Sequence, residues 1–249
     1  VYICGDSLLG SFGNPLATSL GESGVIKAAY DSRPSSGLVN TDFFNWNNHI
    51  KKMISQYDPE IVVFMIGTND ASIVSSNPKG YAKAYEEKLN DFLDVVSPKK
   101  RKVIFVLNPA MRETALDKNL NKINNVIYKV ALERQAYTME SNPILSPANK
   151  FVLSIKAGTK NVIVRANDGV HISSDGGKLL ANSIKTFIST NFGTGRFSDT
   201  QIIKPIKVAG CCSSPTSIPS VTSSSTSSSS NTSSTTSNSD ATTSTQENS

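Results

Sequence analysis

Cysteine, histidine and tryptophan are scarce in this chain of 249 residues, with three, two and one of each. Three cysteines make no disulfide framework. Cys4 lies in an apolar run and reads as a small buried residue, and the adjacent Cys211 and Cys212 are ill placed to bridge each other. A single histidine in a polar loop is a poor metal site, since zinc takes three or four N, S or O ligands, so neither a metal nor a cofactor is expected. No run of about 18 apolar residues occurs, so the sequence offers no transmembrane span. Acidic residues are outnumbered, 20 against 25 Lys and Arg, for a net charge of +5. The basic run "KKRK" at 99–102 reads as a solvated turn before a strand. No aromatic platform or docking motif accompanies it, so nucleic acid is not an expected partner. A mild attraction to an anionic polymer or surface remains open.

What is abundant is serine and threonine, at one end. From Ser213 onward the sequence, "SSPTSIPSVTSSSTSSSSNTSSTTSNSDATTSTQENS", has no aromatic residue and no Lys or Arg. Such a composition cannot bury enough apolar surface to offset its ordering entropy, and 213–249 reads as a disordered linker. Tracts of this kind suit an extracellular spacer, so the chain is expected outside the cell or in a bacterial cell envelope. It opens at Val1 inside a strand-like run and reads as part of a longer, multidomain protein. Residues 1–192 are long enough for one domain with a full core, with 193–212 as a connecting segment.

Within that domain short apolar runs alternate with amphipathic stretches. "VYIC" (1–4), "VIKAAY" (25–30), "IVVFMI" (61–66), "KVIFVL" (102–107) and the weaker "AYTM" (136–139) read as strands. Continuous Val, Ile and Phe without polar alternation is typical of parallel strands covered on both faces. Between them Phe43, Trp46, Ile50, Met53, Ile54 and Tyr57 keep one helical face apolar, as do the stretches 81–96, 116–131 and 179–188. The pattern predicts a single doubly wound α/β domain: a central, mostly parallel, five-stranded sheet flanked by helices. The region 140–166 reads as an insertion whose strands cannot be placed. No apolar stripe is left over beyond the needs of the core, so a monomer is expected.

In such a sheet ligands bind beyond the C-terminal strand ends, and polar residues gather there. "GDSLLG" puts Ser7 after the first run, where it reads as a nucleophile on a tight turn and as an N-cap of the next helix. The same stretch fails as a phosphate loop, because no Lys follows its glycine. "SSGLV" puts Gly37 after the second run, "GTND" puts Asn69 after the third, and "NPAMR" puts Arg112 after the fourth. "NDGVHIS" places Asp168 three residues before His171, so that the carboxylate can reach back to Nδ1 and leave Nε2 facing outward as a base. His49, in an amphipathic helix, is expected to face solvent. Serine chemistry needs a hydroxyl, a base, an orienter for the base and donors for an oxyanion. Ser7, His171 and Asp168 supply the first three. The N–H groups of Ser7 and Gly37 with the Asn69 amide supply the donors.

The four blocks, in this order, resemble those of the SGNH/GDSL hydrolases. The resemblance covers about residues 1–190, and "RPSSGLVNTDFFNW", "NPAMRETAL" and "VRANDGVHIS" are most similar to an envelope-associated bacterial branch, the DUF459 type. It implies catalytic Ser7, Asp168 and His171 and an oxyanion hole of Ser7, Gly37 and Asn69. The expected activity is hydrolysis of short-chain acyl esters, acetyl above all, on a cell-envelope glycan or small ester through an acyl-Ser7 intermediate. Two other readings use the same fold: an O-acyltransferase moving acetyl between glycans, and a non-catalytic glycan-binding module. Arg33 and Arg112, in loops at the catalytic end, are candidates for contacting an acidic or sugar substrate.

Overall fold

In a computed structural model, residues 1–193 and 203–211 are described. The Ser/Thr-rich stretch 213–249 and Cys212 lie outside them. Among the described residues eight strands and seven α-helices follow one another: β1 (Tyr2–Gly5), α1 (Gly13–Gly21), β2 (Ala29–Ser32), α2 (Trp46–Tyr57), β3 (Ile61–Met65), α3 (Ser72–Ser76), α4 (Tyr81–Val96), β4 (Lys102–Val106), α5 (Thr114–Glu133), β5 (Tyr137–Met139), α6 (Asn142–Leu145), β6 (Ser154–Ala157), β7 (Lys160–Ile163), α7 (Ser174–Phe192) and β8 (Ile206–Lys207).

The main sheet runs β5-β4-β3-β1-β2-β8, and every pairing in it is parallel. It has six strands where the sequence pattern predicted five. The sixth, β8, pairs with β2 through Ile206 and Lys207 only, from the stretch read as a connection. Two residues beside Pro205 are too short a run to announce a strand. The apparent insertion resolves into α6 and an antiparallel hairpin, β6–β7, in which Ala157 pairs with Lys160.

Alternate strand residues go to opposite faces, and both faces are covered. Tyr2, Cys4, Val62, Phe64, Val103 and Phe105 pack with side chains of α2, α4 and α5. Ile3, Val63, Met65, Ile104 and Val106 pack with those of α1 and α7. This two-sided burial is why the strands read as unbroken apolar runs. Phe43, assigned from periodicity to a buried helical face, precedes α2 and is 62% exposed.

The connectivity fixes where a ligand belongs. From β1 the chain crosses to β2 on one side, and β3 then returns to the other side of β1. The strand order reverses there, opening a crevice at the C-terminal ends of β1 and β3.

Candidate active site

Ser7 leaves β1 as the first residue of a 3-10 turn, Ser7–Ser11. The capping role expected of it belongs instead to Asp6, whose Oδ1 accepts the Leu8 N–H at 3.0 Å. Ser7 Oγ is thereby left for another partner, and it lies 2.9 Å from His171 Nε2. The other imidazole nitrogen, Nδ1, sits 2.7 Å from Asp168 Oδ2. Asp168 Oδ1 meanwhile accepts the N–H groups of Val170 and His171 at 2.8 and 2.9 Å. Burial raises the Asp168 pKa, but these two N–H donors and the imidazole outweigh it and hold the carboxyl at about 2. It is therefore ionised at neutral pH and accepts a hydrogen bond from Nδ1–H, which leaves Nε2 as an acceptor for the serine hydroxyl. Gly169 makes the turn possible: its φ is +83°, and a Cβ there would lie 2.7 Å from Arg112 Cβ.

The second side of the crevice is the loop after β2. Asp70, adjacent to Asn69 and 2% exposed, gathers this loop. Its Oδ2 accepts Leu38 N–H at 2.7 Å, and its Oδ1 accepts Val39 and Asn40 N–H, both at 3.0 Å. Gly37 is required by this packing, since a Cβ there would sit 2.3 Å from Asp70 Oδ1. Asn69 Nδ2 donates to Ser36 O at 2.8 Å, and the buried Trp46 donates to Ser36 Oγ at 2.9 Å. Among the described residues the Gly37 N–H has no hydrogen-bond partner. The Ser7 N–H opens its turn, where no partner exists within the turn. One amide hydrogen of Asn69 is used on Ser36, and the second is available. Ser7, Gly37, Asn69, Asp168 and His171, predicted separately from four blocks, thus sit on loops at one end of the sheet.

Arg33 and Arg112 are at the same end, but much of each guanidinium is committed to the protein. Arg33 Nε pairs with Asp31 at 2.5 Å, Nη2 donates to Ala209 O at 2.8 Å, and Cζ lies 4.9 Å from the Phe44 ring centroid. Arg112 Nη1 donates to Asn167 O at 2.6 Å, beside the Asp168–His171 turn. His49, expected in solvent, is turned inward, with Nε2 at 2.6 Å from Asp31 Oδ2. Asp31 is buried, and burial raises its pKa, yet His49, Arg33 and Tyr2 together hold it below the ordinary carboxylate range. This cluster anchors the strand that feeds the Gly37 loop. Among the described residues no group of three or more His, Cys, Asp or Glu side chains could hold a metal, and no helix is long and apolar enough to cross a membrane.

Asp6 was missed in the sequence because its neighbour drew the chemistry. It is fully buried beneath Ser7, and burial raises its pKa to about 7 against the N–H groups of Leu8 and Thr68. An unfolded aspartate loses its proton near pH 4 (about 3.9). Between about pH 4 and 7 the folded state therefore binds more protons than the unfolded one. The stability from Asp6 is complete below pH 4 and lost as pH rises through 7. Asn at this position has no such titration. Urea unfolding of wild type and Asp6→Asn from pH 4 to 8 should show wild type losing ground to the variant as pH rises. A constant difference would contradict the assignment.

The family profile described as "Protein of unknown function (DUF459)" matches residues 1–186. Among curated proteins none matches the chain in sequence. Solved structures do match it in shape. The acetyl xylan esterase AlAXEase aligns over 76% of this chain and 100% of its own, at a TM-score of 0.57 and 16% identity. Est24, a carbohydrate acetylesterase from Sinorhizobium meliloti, aligns over 77% of this chain and 99% of its own, at 0.54 and 14%. An aryl esterase from M. smegmatis aligns over 76% and 98%, at 0.53 and 13%. At such identities the likeness establishes the fold alone, a parallel sheet covered by helices on both faces.

Proposed function

The chain belongs to the DUF459 family, and from the geometry of its site we propose that it is a serine esterase working by two-step acyl transfer. The observation that carries this reading is the continuous chain from Asp168 through His171 to Ser7, at 2.7 and 2.9 Å. In the first step His171 Nε2 takes the Ser7 proton as Oγ attacks the ester carbonyl. The oxyanion is received by the N–H groups of Ser7 and Gly37 and by the free amide hydrogen of Asn69. The tetrahedral intermediate collapses, the alcohol leaves with the proton from His171, and the acyl group stays on Ser7. Water, giving a proton to His171, then attacks the acyl carbonyl; Ser7 Oγ leaves with that proton, and the carboxylic acid is released.

The substrate we propose is a short acyl ester, acetyl above all, on a glycan of the cell envelope. Two similar structures are described as an acetyl xylan esterase and a carbohydrate acetylesterase, and the Ser/Thr-rich tail suits a spacer outside the cell. The side chains of His171 and Asp168 are 44% and 48% exposed, which lets a polymer approach the triad. The same exposure gives water direct access to the acyl-enzyme, and so favours hydrolysis over transfer to a second sugar. The test compares hydrolysis of p-nitrophenyl acetate, butyrate and octanoate, then follows acetate release from acetylated xylan and acetylated wall glycan. Turnover falling steeply from acetate to octanoate, with acetate released from a glycan, is the expected result. Preference for octanoate, or sugar acetylation that outcompetes hydrolysis, would contradict it.

A further inference from the structure

Arg165 is 0% exposed, and its hydrogen bonds all go to neutral acceptors. Nη1 donates to Ala110 O at 2.6 Å and Ser146 Oγ at 3.1 Å. Nη2 donates to Val170 O at 2.9 Å and Met111 Sδ at 3.2 Å. Nε reaches His171 O at 3.4 Å. Burial lowers its pKa to about 10, and the carboxylates it senses at longer range are Asp168 and Asp117. Removing a guanidinium from water is costly even after the surroundings relax, and an apolar side chain of similar volume often does as well or better for stability. A charge kept in such a place calls for a use other than stability.

The acceptors indicate that use. Val170 and His171 belong to the turn that presents the imidazole, whereas Ala110 and Met111 belong to the loop after β4. Arg165 therefore joins the turn to the end of the main sheet, from which Ser7 also projects. A second arginine completes the clamp. Arg112 N–H donates to Gly169 O at 3.1 Å and its Nη1 donates to Asn167 O. Both guanidiniums lie on the Phe151 ring, 4.7 Å from its centroid for Arg112 and 4.9 Å for Arg165. From Asn167 to His171, the carbonyls of Asn167, Gly169, Val170 and His171 are thus held by one arginine or the other, while Asp168 holds the Val170 and His171 N–H groups.

We propose that Arg165 is a positioning residue for the acyl transfer described above: through Val170 O and His171 O it fixes the height and direction from which His171 Nε2 meets Ser7 Oγ. The inference rests on that reading of Ser7 and His171. Lysine cannot replace it, because a single ammonium does not span two loops as the planar fork does. A misplacement of about 1 Å at a reacting group costs about 100-fold in rate. Arg165→Lys and Arg165→Met should therefore lower kcat for p-nitrophenyl acetate by about 10- to 100-fold, per active site counted by fluorophosphonate titration, with KM within about twofold of wild type. In proton NMR the His171 ring signals should be sharp in wild type and broaden or double in both variants, a readout that needs no turnover. Where the Arg165 variants do not fold, Phe151→Leu removes the stacking surface from the edge of the clamp. It should lower kcat several-fold, again without moving KM. Folded Arg165 variants with wild-type kcat and an unchanged His171 resonance would overturn the proposal, as would an unaltered kcat in Phe151→Leu if those variants fail to fold. An inactive wild type with a normal His171 response would instead count against the esterase reading alone.

Discussion

Ser7→Ala is expected to abolish ester hydrolysis, with a fall in kcat of about 10⁴-fold or more. The size follows from what the hydroxyl alone provides. No other group in the constellation is a nucleophile placed beside a base: Asp168 is spent on Nδ1 and on two N–H groups, and Asn69 offers only an amide. The variant keeps the donors for the oxyanion, so residual activity should reflect water attacking a polarised ester. Stability should barely change, because Ser7 does not cap its turn and Asp6 does. Purified variant and wild type, compared by hydrolysis of p-nitrophenyl acetate and by thermal melting, check both statements. Near-normal hydrolysis in Ser7→Ala would remove the proposed mechanism.

Asn69→Ala should lower kcat by about 10²- to 10³-fold while leaving KM little changed, as expected for a donor that acts mainly on the developing oxyanion. Here the structure adds a complication. Asn69 also holds the Gly37 loop through Ser36 O, so its loss removes one donor and loosens the loop that carries another. Asp70 and Trp46 still anchor that loop through four further hydrogen bonds. Displacement of the loop should therefore be small, and the melting temperature should fall only slightly. Asn69→Asp, similar in size but acceptor-only when ionised, should be at least as slow. A large rise in KM with kcat preserved would mean that Asn69 binds the ground state and does not serve the oxyanion.

The site was legible to the extent that it is built from local sequence blocks. Ser7, Asn69, Asp168 and His171 each follow a strand or precede a helix in a short polar stretch, Gly37 lies in the long loop after β2, and the fold's crevice rule says such loops converge. The two-sided burial of the sheet was equally legible in its unbroken Val, Ile and Phe runs. What stayed hidden depends on contacts far apart in sequence. His49 looked exposed because helical periodicity gave no hint of a buried aspartate 18 residues earlier. The carbonyl partners of Arg33 and Arg112, Ala209 O and Asn167 O, lie 176 and 55 residues away and leave no trace in composition. Arg165 sits in a stretch whose strands could not be assigned, and three of its five acceptors are backbone oxygens, of residues 110, 170 and 171. The strand β8 was too short to show a period.

Covalent trapping of Ser7 tests the central claim most directly. Wild-type protein treated with a fluorophosphonate and digested for mass spectrometry should carry one adduct, on the peptide containing Ser7. Esterase activity should fall in proportion to the labelled fraction, and His171→Gln should label far more slowly. Full activity in completely labelled protein, or an adduct confined to another residue, would contradict the account.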